Sequence, residues 1–208
     1  MRGAARRGPE LSPAKRRQIL DGARRAFTEH GFQRTSVDEV AHLAGVSKAT
    51  VYNHFSDKEA LFVASCLDVS EQLRDRIAEL LSAPSGQVEL DLQRVGEHFL
   101  ETVLEPAAVA LHRIMVAEVG RLPELGQTLY DHVVCTMNQT MAAYLQRLSE
   151  TGALRVDDPG FASRQFLALC QVDLAIQCQL GITARVPRDM IRTAVAQAVR
   201  TFLRAFRP

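Results

Sequence analysis

Apolar residues recur at helical spacing along almost the whole chain, and no run of alternating β-branched residues breaks the pattern. That one feature decides the fold class. Only a helix brings residues i, i+3, i+4 and i+7 to a single face, so a chain patterned this way must bury helix against helix. The longest stripe, Phe62, Cys66, Val69, Leu73, Ile77 and Leu80, predicts one long helix ending near residue 82, opened by a Ser56–Glu59 capping box. Before it, Ser12 and Pro13 supply an N-cap and a first-turn proline. Ile19, Ala23 and Phe27, with Leu20 and Ala26 beside them, then form a stripe that stops at Gly31. A second capping box, Ser36 with Glu39, opens a short helix striped by Val37, Val40, Ala41 and Ala44 and closed by Gly45. Ser47 can cap a third, whose inner face is Val51 and Phe55.

Beyond residue 82 the segment APSGQ reads as a turn. A fifth helix runs to about residue 104, Pro106 interrupts it, and a sixth reaches about residue 119. Gly120 and Pro123 bracket the next turn, and a long helix covers about 124–151. Gly152 and VDDPG break the chain again, and helices over about 161–180 and 188–206 flank GITARVP. The expectation is an all-α fold of nine helices. Its expected parts are a basic arm over 1–11, a small helical domain over 12–58 and a larger body over 59–208.

The net charge of +1 hides an asymmetry. Residues 1–58 hold eleven Lys/Arg against six Asp/Glu, while residues 59–208 hold fourteen against eighteen. A basic N-terminal quarter on a mildly acidic body points to a polyanion met at one end only. The arm before Ser12 could track phosphates or be a disordered tail. No window approaches a membrane span, and the N-terminus lacks the apolar core of a secretory signal, so a cytoplasmic protein is expected.

The stretch AHLAGVSKATVYNHF carries the chemistry. A short helix, a glycine turn and a second short, polar helix make the helix-turn-helix arrangement. Ala41 is small where two helices must approach, and Gly45 can take the positive φ of a sharp turn. Val46, Val51 and Phe55 fix the second helix inward, which leaves Lys48, Ala49, Thr50, Tyr52, Asn53 and His54 outward or on the flank. A major groove about 12 Å wide accepts such a helix. Lys48 can donate to guanine O6/N7 or to phosphate, Thr50 can meet a base, and Asn53 can read adenine or bond the backbone. Ala49 leaves room or touches a methyl group, and Tyr52 and His54 can donate to phosphates. Lys58, the Ser36 hydroxyl and the backbone N–H groups beside it are placed for phosphate as well.

The run over 19–62 resembles the DNA-binding domain of TetR-family transcriptional regulators. A-x-x-A-F-x-x-x-G-F, T-S-V-D-E-V-A, A-G-V-S-x-x-T-V-Y-x-H-F and S-x-K-E-x-L-F stand in order. The resemblance implies that the third helix enters the major groove, with Ser47, Lys48, Ala49, Thr50, Tyr52, Asn53 and His54 at or beside the matching positions. Lys58 would meet phosphate, and Thr35 and Ser36 the DNA backbone. It also implies a fourth helix leading to an effector-binding body and a dimer built by the last two helices. LHRIMVAEVGRLPELGQTLYDH and DPGFASRQFLAL look like the C-terminal domain of AefR-like members.

In the body, Ile191, Val195, Val199 and Phe202 line one side of the last helix, with Ala194 and Ala198 allowing close approach. Arg188, Arg192, Arg200 and Arg204 line the other side. Paired with 161–180, that helix could form a four-helix interface across a two-fold axis. Candidate pocket residues are Phe99, Leu111, Met115, Tyr130, Val134, Met137, Met141, Phe166, Cys170 and Asp173, each of which could equally be core. Asp173, interrupting LALCQVDLAIQ, is an effector partner, an interface hydrogen-bonder with Gln177, or half exposed. Glu118 and Arg121 suit a structural ion pair.

Cys66, Cys135, Cys170 and Cys178 form no CxxC pair and read as buried reduced thiols, a redox role for Cys170 and Cys178 being the alternative. The six histidines suggest no metal cluster, and no phosphate loop or nucleophile elbow appears, so no cofactor and no catalysis are expected. The expected function is a dimeric repressor that binds double-stranded operator DNA with palindromic symmetry and is released by a small, largely apolar effector. An activator or an effector-independent DNA binder is the alternative, and an enzyme with an incidental helix-turn-helix a distant one.

Overall fold

A computed structural model of the protein describes residues 12–121 and 123–208. The basic arm lies outside them. Among the described residues the chain is helical, without a strand. It divides into two compact units, one through Ser65 and one from Cys66.

The N-terminal unit holds α1 (Pro13–Arg34), α2 (Val37–Ala44), α3 (Lys48–His54) and the first turns of α4 (Lys58–Ser82). Ile19, Leu20, Ala23, Ala26 and Phe27 form the buried stripe of α1, as the spacing requires. Its centre is an aromatic cluster: the Phe27 ring lies 5.2 Å from Phe62 and 5.9 Å from Phe32, with Phe32 and Phe62 5.3 Å apart. Edge-to-face rings of this kind add about 0.5–1.5 kcal/mol per pair beyond their burial. Helix α1 kinks at Gly31, where φ is 75° and ψ 168°, and continues to Arg34. The tightest approach of α1 to α2 is at Gly22, where a Cβ would stand 2.8 Å from both Cβ and backbone N of Ala44.

The capping serines behave unequally. Ser36 and Ser47 accept from the backbone N–H of Glu39 and Thr50, as expected. Ser12 occupies the cap position of α1, but its side chain makes no cap bond. At α4 the cap is Asp57 rather than Ser56. Its Oδ1 accepts from the Ala60 N–H at 2.7 Å, and Ser56 donates to its Oδ2 at 2.8 Å. A carboxylate outcompetes a hydroxyl here because it accepts both bonds at once, and those bonds hold the Asp57 carboxyl below its ordinary pKa.

The second unit contains the rest of α4, α5 (Val88–Val103), α6 (Pro106–Glu118), α7 (Pro123–Leu129), a π-helical segment (Tyr130–Cys135), α8 (Thr136–Glu150), α9 (Pro159–Gln171), α10 (Leu174–Gln179) and α11 (Arg188–Phe206). The long helix expected over 124–151 therefore runs as α-helix, π-helix and α-helix in succession. The helix expected over 161–180 is broken instead. Asp173 adopts φ 65°, the one non-glycine with positive φ among the described residues, and its carbonyl accepts from the Gln177 N–H to start α10. With 123–150 taken as one rod, that break makes ten helices among the described residues where nine are expected. On α4, Leu73, Ile77 and Leu81 are buried, while Leu80 is only half-buried.

One core joins α4, α5, α6, α8, α9, α10 and α11. Leu73 and Ile77 of α4, Val95 and Phe99 of α5, Met141 and Leu145 of α8, Phe166 and Cys170 of α9, and Val195 and Phe202 of α11 belong to it. A buried polar clasp pins its edge. Asp91 accepts from the Tyr144 hydroxyl at 3.1 Å and from the Ser85 N–H at 2.9 Å, tying α5 to α8 and to the preceding turn. The side of α11 bearing Ile191, Val195, Val199 and Phe202 lies wholly inside this core, at most 5% exposed. Those residues cannot be the face of a dimer, because α5 and α9 already cover them.

Candidate nucleic-acid interface

Helix α2 ends at Gly45, whose φ of 63° and ψ of 36° place it in the left-handed region that a side chain penalises. The Gly45 and Val46 N–H groups bond back to the His42 and Ala41 carbonyls, closing the turn. Two residues later Ser47 caps α3, and the short helix is set. Val51 and Phe55 are buried at 1% and 7% exposure and hold it to the unit. Lys48, Ala49, Tyr52 and Asn53 are exposed, while Thr50 and His54 are half-buried. Tyr52 keeps 48% of its surface in solvent, while Phe27, Phe32, Phe55 and Phe62 of the same unit are buried.

The hydroxyls of this region mostly have intramolecular work. Ser47 Oγ and Thr50 Oγ1 are 2.8 Å apart, and Ser36 Oγ accepts from Glu39 N–H at 3.2 Å. Glu39 does not reach back to close a full capping box; its carboxylate lies 2.9 Å from His30 Nε2 instead. Two residues expected to meet the DNA backbone make intramolecular bonds. Thr35 is 2% exposed, and its hydroxyl donates to the Ala26 and Gly31 carbonyls at 3.1 and 2.8 Å, at the α1 kink. Its side chain therefore braces the kink and is turned away from any ligand. Lys58 likewise points inward: Nζ donates to the Phe32 and Gln33 carbonyls at 2.9 and 3.3 Å and sits 4.5 Å from the Phe32 ring centroid. Two of its three donors thus meet carbonyls at the end of α1.

Lys48 is also paired. Its Nζ donates to Asp38 Oδ2 at 2.8 Å, across the turn from the first turn of α2. The hydrogen bond and the charge of Asp38 raise the Lys48 pKa, so the ammonium stays charged. Asp38 was missed by sequence reasoning, since it stands ten residues from Lys48 and no local spacing rule joins them. Its place inside the T-S-V-D-E-V-A motif was the available signal.

The ten residues expected to line an effector pocket separate. Phe99, Met137, Met141, Phe166 and Cys170 are close-packed members of the body's core. Leu111 is buried, Met115 is half-buried, and Tyr130, Val134 and Asp173 are exposed. Asp173 accepts from Gln177 Nε2 at 2.7 Å, the expected pair on an exposed helix start. A cleft of about 640 Å³ opens elsewhere, floored by Leu104, Pro106, Val186 and Ile191 and edged by Glu101 and Arg188, which pair at 2.9 Å. None of the ten expected residues lines it. Glu118 and Arg121 meet through the backbone, Arg121 N–H donating to the Glu118 carbonyl at 2.9 Å. Burial pushes the Cys66 and Cys170 thiols up to about 12, which disfavours the reactive thiolate. Among the described residues no cluster of three His, Cys, Asp or Glu could hold a metal, and no helix is long and apolar enough to cross a membrane.

Residues 19–65 match the family model for bacterial regulatory proteins of the tetR family, and residues 91–208 match that for the C-terminal domain of AefR-like transcriptional repressors. The HTH-type transcriptional regulator BetI of Escherichia coli O45:K1 (strain S88 / ExPEC) is 38% identical over 101 residues, 48% of this chain and 52% of that one. The match thus spans about half the length of such curated relatives. Among solved structures, a Mesorhizobium loti MAFF303099 protein ascribed to the TetR family aligns with TM-score 0.85 at 27% identity, over 94% of this chain and 98% of that one. A protein described as the flavonoid-responsive regulator FrrA aligns with TM-score 0.72 at 30% identity, over 95% and 99%.

Proposed function

The chain belongs to the TetR family of transcriptional regulators, a DNA-binding class, and from that premise we propose a homodimeric repressor released from a palindromic operator by a small, largely apolar effector. The observation that carries the DNA-binding site is the exposed row on α3. Lys48, Ala49, Tyr52 and Asn53 face solvent while Val51 and Phe55 anchor the helix from behind. In this reading Lys48 and Asn53 meet base edges, Ala49 and Thr50 the floor of the groove, and Tyr52 and His54 the phosphates. Ser36 and Ser47 contribute through the N–H groups of the helices they cap.

Dimerisation in this reading uses the outward faces of the last helices. Val172, Ile176, Leu180 and Ile182 are 63%, 53%, 68% and 70% exposed within one short segment. Apolar surface gathered this way favours a second copy of the chain. Two α3 helices about 34 Å apart would then read half-sites one DNA turn apart. The effector belongs among Phe99, Met137, Met141, Phe166 and Cys170, where two unbranched methionines can repack around an apolar guest. The likeness to a flavonoid-responsive regulator supports an aromatic, largely apolar class of molecule. Helix α4 begins in the DNA-binding unit and ends in the body, so it is the continuous element through which binding can act. A coupling of about 1–3 kcal/mol is enough for regulation. The protein would act in the cytoplasm, where its DNA is.

Selection of duplexes from a random pool tests this reading. The expected product is a two-fold symmetric site bound by two protomers. Enrichment of an asymmetric site bound by one protomer would remove the dimer from it.

A further inference from the structure

The Asp38–Lys48 pair places a carboxylate beside the leading cation of the DNA-facing helix. Both side chains are well exposed, 66% and 51%, so the pair is not a device for stability. A carboxylate on a surface that meets phosphates also costs attraction at long range. Its geometry suggests what offsets that cost. Lys48 is the first residue of α3, at the end of the helix that reaches deepest into a groove. A free lysine there would swing on its four-carbon stem to whichever phosphate is nearest. Held by Asp38 Oδ2 at 2.8 Å, the ammonium spends one of its three donors inside the protein and keeps two, close to one fixed position. Two donors match the O6 and N7 acceptors of guanine, the commonest partner of a base-reading lysine.

We propose that Asp38 is a specificity-determining positioning residue, which holds Lys48 for guanine and withdraws it from sequence-independent attraction to phosphate. This rests on the DNA-binding reading above. The mechanism makes two linked statements. Pairing lowers the number of cations free to neutralise phosphates, so binding to unrelated DNA is weakened. Orientation concentrates the remaining donors on one base pair, so binding to the cognate site is retained. The quantity that Asp38 controls is therefore the ratio of the two affinities.

The test uses the full chain, a duplex enriched from a random pool by the wild type, and an unrelated duplex of equal length, across 50–200 mM salt. Asp38→Asn should raise affinity for the unrelated duplex about threefold to tenfold and steepen its salt slope by about 0.9, the contribution of one phosphate contact. The ratio of enriched to unrelated affinity should fall by roughly tenfold, the value of one good base contact. In a Lys48→Ala background the same change should leave that ratio unmoved, and Asp38→Glu should restore most of it. Unchanged thermal unfolding of Asp38→Asn excludes a folding defect. A ratio unaltered by Asp38→Asn with Lys48 present would overturn the proposal, as would an equal fall in the ratio with Lys48 absent. A wild type that enriches no duplex would overturn the DNA-binding reading itself, which separates the two failures.

Discussion

Through Ser65 the chain uses its apolar residues to hold a few polar ones outward; from Cys66 onward most of them pack on one another, and Val172, Ile176, Leu180 and Ile182 stay exposed. In the N-terminal unit, Val51 and Phe55 are buried so that Lys48, Tyr52 and Asn53 can be displayed. In the body, Phe99, Met141, Phe166 and Phe202 are buried in a core that displays nothing comparable. A site made of exposed polar groups on a pinned helix differs from ordinary surface. A site made of apolar groups in a helical body does not differ from ordinary core. The recognition surface is therefore readable from side-chain type and period, and the effector site is not.

The comparison breaks most strongly if the core of the body is emptied. Phe202 is 1% exposed and lies 5.3 Å from Phe166 and 4.6 Å from Phe206, ring to ring. Phe202→Ala should destabilise the body by about 3–5 kcal/mol in denaturant unfolding. The N-terminal unit should keep its own transition, because its core shares no residue with that cluster. The converse is Gly22→Val. Its Cβ would meet the Ala44 backbone, which cannot move aside as a side-chain tip can, so about 1–3 kcal/mol should be lost from the N-terminal unit. Calorimetry should show the N-terminal unit's transition lowered and the body's unchanged.

Much of this organisation was legible. The stripes of α1 and α4, the Gly45 turn and the Ser36 and Ser47 caps follow from spacing and from local hydrogen-bonding chemistry. What spacing does not show is which neighbour a side chain meets. Thr35 and Lys58 look like ligand contacts by type, but the Thr35 hydroxyl bonds carbonyls at the α1 kink and Lys58 bonds carbonyls at the end of α1, acceptors that no spacing rule joins to them. The α11 stripe looks equally apt for a partner chain or for α5 and α9, since periodicity states that a face is buried and not against what. Asp173 interrupts an apolar run in the sequence, yet an interruption by type does not specify the positive φ that breaks the helix there.

A smaller effect sharpens the capping contrast at α4. The folded Asp57 carboxyl is held below its ordinary pKa by the Ala60 N–H and the Ser56 hydroxyl. Its contribution is therefore complete above the unfolded carboxyl's pKa and is lost as pH falls through the lower folded value. Asp57→Asn should remove that acid-side dependence from the N-terminal unit's stability while costing less than about 1 kcal/mol at neutral pH. A Ser56→Ala variant should keep most of it, which unfolding measured from pH 7 to pH 2 would check.

The most direct test of the central claim, that the exposed row on α3 is the recognition surface, is the affinity of Tyr52→Ala for a duplex enriched by the wild type. Tyr52 is 48% exposed and has no core to lose, so its removal should leave thermal unfolding and oligomeric state unchanged. Affinity should fall at least tenfold, about 1.4 kcal/mol or more. An affinity equal to that of the wild type would contradict the account and move the DNA-binding surface off α3.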